Sequence, residues 1–444
     1  MVTAENDSWT GRAGFILAAV GSAIGLGNVW RFSYVAGENG GAAFLLVYAL
    51  CVLFLGLPVL LAEFMLGGRA RGDVLMAFRH TATARAWRYA GVLAALVAFL
   101  ILSYYSVIAG WACRYFVSYL DGSLPALPRE ALPEAFEEFV ADPVQPVAWH
   151  AMFMMLTSVV VAAGIARGIE RASRILMPLL AAMVILLAGY ALSLPGARRG
   201  LSFLFAPDWS LLATPGLYLA ALGQAFFSLG VAMGVMITYA GYVRSSERLA
   251  SSAAAVAAGD TLFAVTAGVA IFPIVFAFGL DPAYGPALAF VTLPQVFSLM
   301  PGGAWIGMGF FFLLSAAALT SAVSLLEVPV AIATRRGLPR TPAAAAIAVC
   351  AFLAGLPSAL GAGAWREVRI AGREILGAVD FLAADLLLPL TGITVVVFVG
   401  WALPRQDALT HSGLAPWLAR VWYALVRYLA PAAMLVFLAT FLIG

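Results

Sequence analysis

Eleven apolar runs dominate this chain: residues 13–36, 42–66, 89–118, 149–166, 174–194, 215–242, 253–279, 304–333, 342–357, 378–402 and 416–442. A helix needs about 20 apolar residues to cross the hydrocarbon core of a bilayer, and only 342–357 falls clearly short of that. Between the runs lie the Arg, Pro and Gly expected of loops. A soluble core has no room for so much apolar surface. Hydrophobic residues make up 63% of the sequence and charged residues 11%, against roughly 45–50% and about 25% in soluble proteins. These features predict an all-α polytopic membrane protein with eleven transmembrane helices.

All 25 basic residues are arginine, and their placement predicts orientation. With the N-terminus inside, cytoplasmic loops and span edges hold sixteen arginines, among them Arg12, Arg69, Arg71, Arg167, Arg171, Arg335, Arg336 and Arg340, and outer loops hold six. An odd number of spans then places the C-terminus outside. The outer loop 120–148 is acidic, and segment 285–303 reads as a re-entrant or lid-like outer loop. The start MVTAENDSW has no basic n-region, so no cleaved signal is expected. A net charge of +3 without a basic run argues against nucleic acid as a partner. Cys51, Cys113 and Cys350 are expected to be buried space-fillers, and His150 an interfacial residue. No nucleophile–base constellation is visible, so an enzyme is not expected.

Two apolar runs are interrupted at matching places. GSAIGLGN (21–28) lies in the first and FFSLGVAMG (226–234) in the sixth. A glycine costs a helix interior about 1 kcal/mol. Glycines clustered beside Ser22, Asn28 and Ser228 predict unwound backbone at mid-membrane, tolerated only where it lines a protein or water cavity. Two such spans five helices apart match a five-plus-five inverted repeat, with the binding site at the breaks. The expected organisation is one transporter domain, 1–444, with repeats at 13–194 and 215–402 and a last span, 416–442, outside them.

The run GSAIGLGNVWRF followed by ENGGAAF resembles the opening signature of the neurotransmitter:sodium symporter family. The resemblance continues in order through YY at 104–105, GQAFFSLGVAMG at 223–234, GDTLFAVTAG at 259–268, ALTSAVS at 318–324 and VDFLAAD at 379–385. It is nearest to the bacterial eleven-span amino acid transporters, which implies a multi-pass protein of a bacterial plasma (inner) membrane.

The resemblance implies two sodium sites and no organic cofactor. The first would use the Ala23 carbonyl with Asn28, Ser228 and Asp260. The second would use the carbonyls of Gly21, Ile24 and Ala317 with the hydroxyls of Thr320 and Ser321. Read without the family, Thr320 and Ser321 are expected to bond back to the preceding helical turn. Asp260 is the sharper signal, because an aspartate in an apolar span costs about 2.5–3.5 kcal/mol and calls for a partner. Many relatives carry an amide here and need chloride, or an acid one turn later, where this chain has Ala264. An ionisable Asp260 implies chloride-independent transport.

Leu26 and Gly27 would offer backbone N–H groups to a substrate carboxylate, with Tyr105 closing over it. The amine would face the Ala23 and Phe227 carbonyls and the Ser321 hydroxyl, with Ser22 and Ser228 also among the expected substrate-binding residues. Monoamine transporters of the family hold their amine with an aspartate where this chain has Gly25, which implies an amino acid substrate. Ile101, Phe227, Gly230, Met233 and Leu325 would line an uncharged side-chain pocket suited to large hydrophobic L-amino acids.

The family pairs Arg31 with Asp380 as an outer gate above Phe227. At the inner gate the charges are swapped, which predicts that Asp7 or Glu5 faces Arg335, with Trp9 and Tyr242 supporting the closure. Gly168 and Pro178 match a family pattern for local unwinding of span five. Glu63 and Glu327 are expected to bond unwound backbone. A proton-driven transporter of the same architecture and a sodium-gated receptor or channel remain the competing readings.

Overall fold

The computed structural model describes residues 8–79, 85–243, 248–279 and 289–443. They form a helical bundle with one short β-hairpin, Arg369–Ile370 paired with Arg373–Glu374, between spans nine and ten. Nine continuous helices among the described residues are long and apolar enough to cross a membrane. The bent pair Arg12–Ala23 and Gly27–Glu38, at 52° to each other, makes a tenth. Pro215–Ser228 and Val235–Gly241, separated by a non-helical stretch, stand where the sixth span was expected. This count agrees with eleven spans.

Large apolar side chains such as Leu53, Met155, Ile185, Leu186, Val349 and Val436 are exposed on the outside of the bundle. With no soluble layer over them, they are the lipid-facing surface. Span four begins at Gln145, earlier than its apolar run, because Asp142 accepts from the N–H groups of Val144 (2.7 Å) and Gln145 (2.8 Å) and caps the first turn. Span three (Arg88–Leu120) and span eight (Gly303–Arg335) are the longest helices and pack against each other beside both broken spans.

Segment 289–302 folds around a short helix, Thr292–Phe297, whose Phe297 ring meets Phe310 of span eight at 5.6 Å and Tyr119 of span three at 6.4 Å. It therefore caps the bundle without crossing it; residues 285–288 lie outside the described residues.

Two small expectations are corrected. His150 is fully buried between spans three, four and nine, against the Phe352 ring at 4.9 Å, and is not interfacial. Of the cysteines, Cys113 is buried, Cys51 is half-buried and Cys350 is exposed on span nine. An apolar span cannot tell a core-facing thiol from a lipid-facing one, since both environments accept it.

Candidate substrate and ion site

The break in span one rests on a redirected set of hydrogen bonds. Ile24 takes an extended ψ of 103°, which ends the helix. The Gly25 N–H turns to Asn28 Oδ1 (3.2 Å) and the Leu26 N–H to Tyr105 Oη (3.1 Å). In a continuous helix these two donors would close onto the carbonyls of Gly21 and Ser22. The Ser22 carbonyl instead accepts from Ser321 Oγ at 3.0 Å.

Gly25 is required by close approach. A Cβ there would lie 2.5 Å from Ser321 Oγ and 2.9 Å from Tyr105 Oη. Gly25→Ala should therefore push both hydroxyls off the break and lower stability by about 1–3 kcal/mol. A thermal melt of the purified protein checks this, and an unchanged melting temperature would count against the packing described.

Span six is unwound between Ser228 and Val235, with positive φ at Gly230 (62°), Ala232 (67°) and Gly234 (71°). Alanine rarely adopts that conformation. Here it is held by Glu63 Oε1, which accepts the Ala232 N–H at 2.6 Å in the interior. Glu63 thus bonds unwound backbone, as the sequence suggested.

Asn28, Ser228 and Asp260 meet where the two breaks face each other. Asn28 Nδ2 donates to Asp260 Oδ1 (2.7 Å) and to Ser228 Oγ (3.0 Å), while Ser228 Oγ lies 2.8 Å from Asp260 Oδ2. Tyr48 Oη completes the cluster at 3.3 Å from Asp260 Oδ2. Sequence reasoning missed Tyr48, since a tyrosine in an apolar run is indistinguishable from packing until its partner is seen. Asp260 is 0% exposed, and among the described residues no arginine or histidine pairs with it. A buried carboxylate with only neutral partners is costly unless a cation joins it.

The second set sits on the other side of span one. Gly21, Ile24, Ala317, Thr320 and Ser321 are all buried. Thr320 Oγ1 bonds back to the Ala317 carbonyl at 2.9 Å, the local alternative open to it from sequence.

A cavity opens at the two breaks. All five expected side-chain residues line it, namely Ile101, Phe227, Gly230, Met233 and Leu325, together with Ser22, Ala23, Gly27, Tyr105 and Ser321. Leu26 and Ser228 are buried and do not line it. Val235 and Ser324 line it too and were not expected.

The outer gate is not paired as the family pattern implied. Among the described residues Arg31 makes no ion pair with Asp380. It donates to Gln224 Oε1 at 3.1 Å and lies over the Phe227 ring at 4.9 Å, and Gln224 Nε2 donates to the Gly27 carbonyl at 3.0 Å. An amide near at hand and an aromatic face satisfy the guanidinium without reaching span ten. Arg31 and Asp385 share a second cavity above Phe227.

On the inner side Trp9 is buried and donates to the Tyr239 carbonyl at 2.8 Å, with its ring edge-on to Tyr242 at 6.5 Å. Asp7 and Glu5 lie outside the described residues, and Arg335 is exposed. Glu327, expected to bond unwound backbone, has side-chain partners. It pairs with Arg340 and accepts from Tyr242 Oη at 2.6 Å. Glu170, at the end of a widened turn Ile165–Glu170 containing Gly168, accepts from Thr10 N (2.8 Å) and Arg174 Nη2 (2.6 Å), while Pro178 sits in regular helix beyond it.

A model of the sodium:neurotransmitter symporter family matches residues 6–129 and 140–443, nearly the whole chain. The chain belongs to the sodium:neurotransmitter symporter family. Among its relatives are a sodium-dependent transporter of Bacillus subtilis, YhdH, 37% identical over 433 residues with 96% of each chain covered, and one of Haemophilus influenzae, 32% identical with 97% of each covered. The crystal structure of MhsT in complex with L-phenylalanine superposes with a TM-score of 0.92 at 48% identity, covering 98% of this chain and 99% of that one. The protein is therefore a multi-pass, sodium-dependent transporter of this family, built as a five-plus-five inverted repeat whose first and sixth helices are broken.

Proposed function

We propose that this protein imports large hydrophobic L-amino acids, aliphatic or aromatic, coupled to sodium, by alternating access and without chloride. Asp260 supports this most directly. It is an uncompensated carboxylate, buried among the amide and hydroxyls of Asn28, Ser228 and Tyr48 beside an unwound backbone. A desolvated cation among hard oxygens removes the cost of that charge, and the charge takes over the task that chloride performs in other members.

The first sodium would be held by the Ala23 carbonyl, Asn28, Ser228, Asp260 and the substrate carboxylate. The second would be held by the carbonyls of Gly21, Ile24 and Ala317 with Thr320 and Ser321. The substrate carboxylate would take the N–H groups of Leu26 and Gly27, with Tyr105 Oη, which now occupies the Leu26 N–H, turning to meet it. Its amine would face the Ala23 and Phe227 carbonyls and Ser321. The lining contains no charged side chain, so a lysine or glutamate side chain would be buried unpaired at several kcal/mol. The MhsT structure holds phenylalanine, which agrees with this choice.

With the N-terminus in the cytoplasm, each sodium entering down 100 mV supplies roughly 2.3 kcal/mol. Two sodium ions with a zwitterion supply roughly 4.6 kcal/mol, enough for more than a thousandfold accumulation. Phe227 and Arg31 would close the outer path, while Trp9, Tyr242 and a pairing of Asp7 with Arg335 would close the inner one. Asp380 would receive Arg31 at another stage of the cycle.

In proteoliposomes with a sodium gradient and no chloride, labelled leucine should accumulate, with tryptophan and phenylalanine competing and lysine and glutamate not. Uptake driven equally by a pH gradient without sodium would favour the proton-coupled reading instead.

A further inference from the structure

We propose that Ser22 reads the tip of the substrate side chain, selecting aromatic amino acids that bring a hydrogen-bond donor there, an indole N–H or a phenol O–H. This rests on the amino acid reading above. Four hydroxyls line the cavity: Ser22, Tyr105, Ser321 and Ser324. Two are engaged by the span-one break, with Tyr105 Oη on the Leu26 N–H and Ser321 Oγ on the Ser22 carbonyl. The Ser22 hydroxyl faces elsewhere, because a Cβ built on Gly230 would come within 3.9 Å of its oxygen. Gly230 belongs to the side-chain wall, so the Ser22 oxygen faces the part of the cavity that the substrate side chain would occupy.

The hydrogen bonds there run in one direction, with Tyr239 Oη a further partner of Ser324. Ser324 Oγ donates to the Ser321 carbonyl at 2.7 Å, and Ser22 Oγ donates to Ser324 Oγ at 2.7 Å. Each hydroxyl has one proton. The relay ends on a carbonyl, which cannot donate, so both protons are committed and Ser22 Oγ offers the pocket lone pairs only. A donor is therefore satisfied there, an acceptor is repelled, and a plain phenyl ring leaves the oxygen unpaired. The residue is 7% exposed, so water compensates poorly.

The test compares tryptophan with its benzothiophene isostere, L-3-benzothienylalanine, which keeps the ring shape and replaces the N–H with sulfur. Both displace labelled phenylalanine from the purified, sodium-loaded protein. Tryptophan should bind about three- to fifteenfold more tightly, although the isostere is the more apolar of the two. In Ser22→Ala the ratio should fall to about one. Ser324→Ala frees the Ser22 proton and should also shrink the ratio; it serves where Ser22→Ala does not fold.

A ratio near one in the unmodified protein would overturn the proposal. So would a ratio that survives in Ser22→Ala while both ligands weaken equally, the result expected if Ser22 held the common ammonium group. If phenylalanine itself shows no sodium-dependent binding, the parent reading fails first, and the two failures are told apart.

Discussion

Asp260→Asn should abolish sodium-driven uptake in chloride-free medium, where the unmodified protein transports. The substitution keeps size and hydrogen-bonding capacity, so the contacts with Asn28, Ser228 and Tyr48 have replacements and the loss is one of charge. Two unit charges about 4 Å apart interact by about 4 kcal/mol at an effective dielectric constant near 20. Sodium affinity should therefore fall on the order of 100- to 1000-fold. Chloride should not restore it, since Ala264, one turn further along span seven, offers the anion no hydroxyl. A carboxylate returned at that position, in Asp260→Asn with Ala264→Glu, should recover part of the sodium dependence. Isotope uptake against external sodium reads all three proteins, and a thermal melt in high sodium excludes misfolding. Unimpaired chloride-free uptake by Asp260→Asn would remove Asp260 from the ion site.

What could be read in the sequence follows the range of the forces involved. Span positions come from local apolarity and agree within a few residues, except at span four, where the polar cap Asp142 starts the helix before its hydrophobic run, and at span five, which opens at Ile165 through the widened turn Ile165–Glu170. The breaks were visible because glycine clusters in an apolar span have few other uses. The residues expected to form the side-chain pocket line one cavity, and it was the family resemblance that supplied their alignment. Contacts between side chains far apart in sequence were less legible. Tyr48 reaches Asp260 across 212 positions and Ser22 reaches Ser324 across 302, and neither pairing leaves a pattern in a single sequence. The same blindness hid the side-chain partners of Glu327. A charge in a span announces that it needs a partner, but not which one.

That limit makes the inner side the place for a second large effect. Arg340→Ala should destabilise the closed inner gate by about 3–5 kcal/mol, the usual cost of stripping one partner from a buried ion pair. Glu327 is 0% exposed at its side chain and Arg340 13%, so neither falls back on water. The pair joins four elements. Arg340 opens span nine and donates from Nε to the Val161 carbonyl of span four at 2.8 Å, while Glu327 on span eight accepts from Tyr242, which closes span six beneath Trp9. Losing the guanidinium leaves a buried anion under the N-terminal segment, which should favour an open inner side. A cysteine introduced at Thr238, buried now, should become reactive to a thiol reagent applied from inside, and uptake should drop. Adding Glu327→Gln removes the stranded charge and should return most of the stability, giving a coupling energy that a surface contact would not show. Exposed Arg335 provides the contrast, because Arg335→Ala should change stability by no more than about 1 kcal/mol. If Arg340→Ala melts and transports like the unmodified protein, or if Glu327→Gln brings no relief, closure of the inner gate rests on the N-terminal segment and not on this pair.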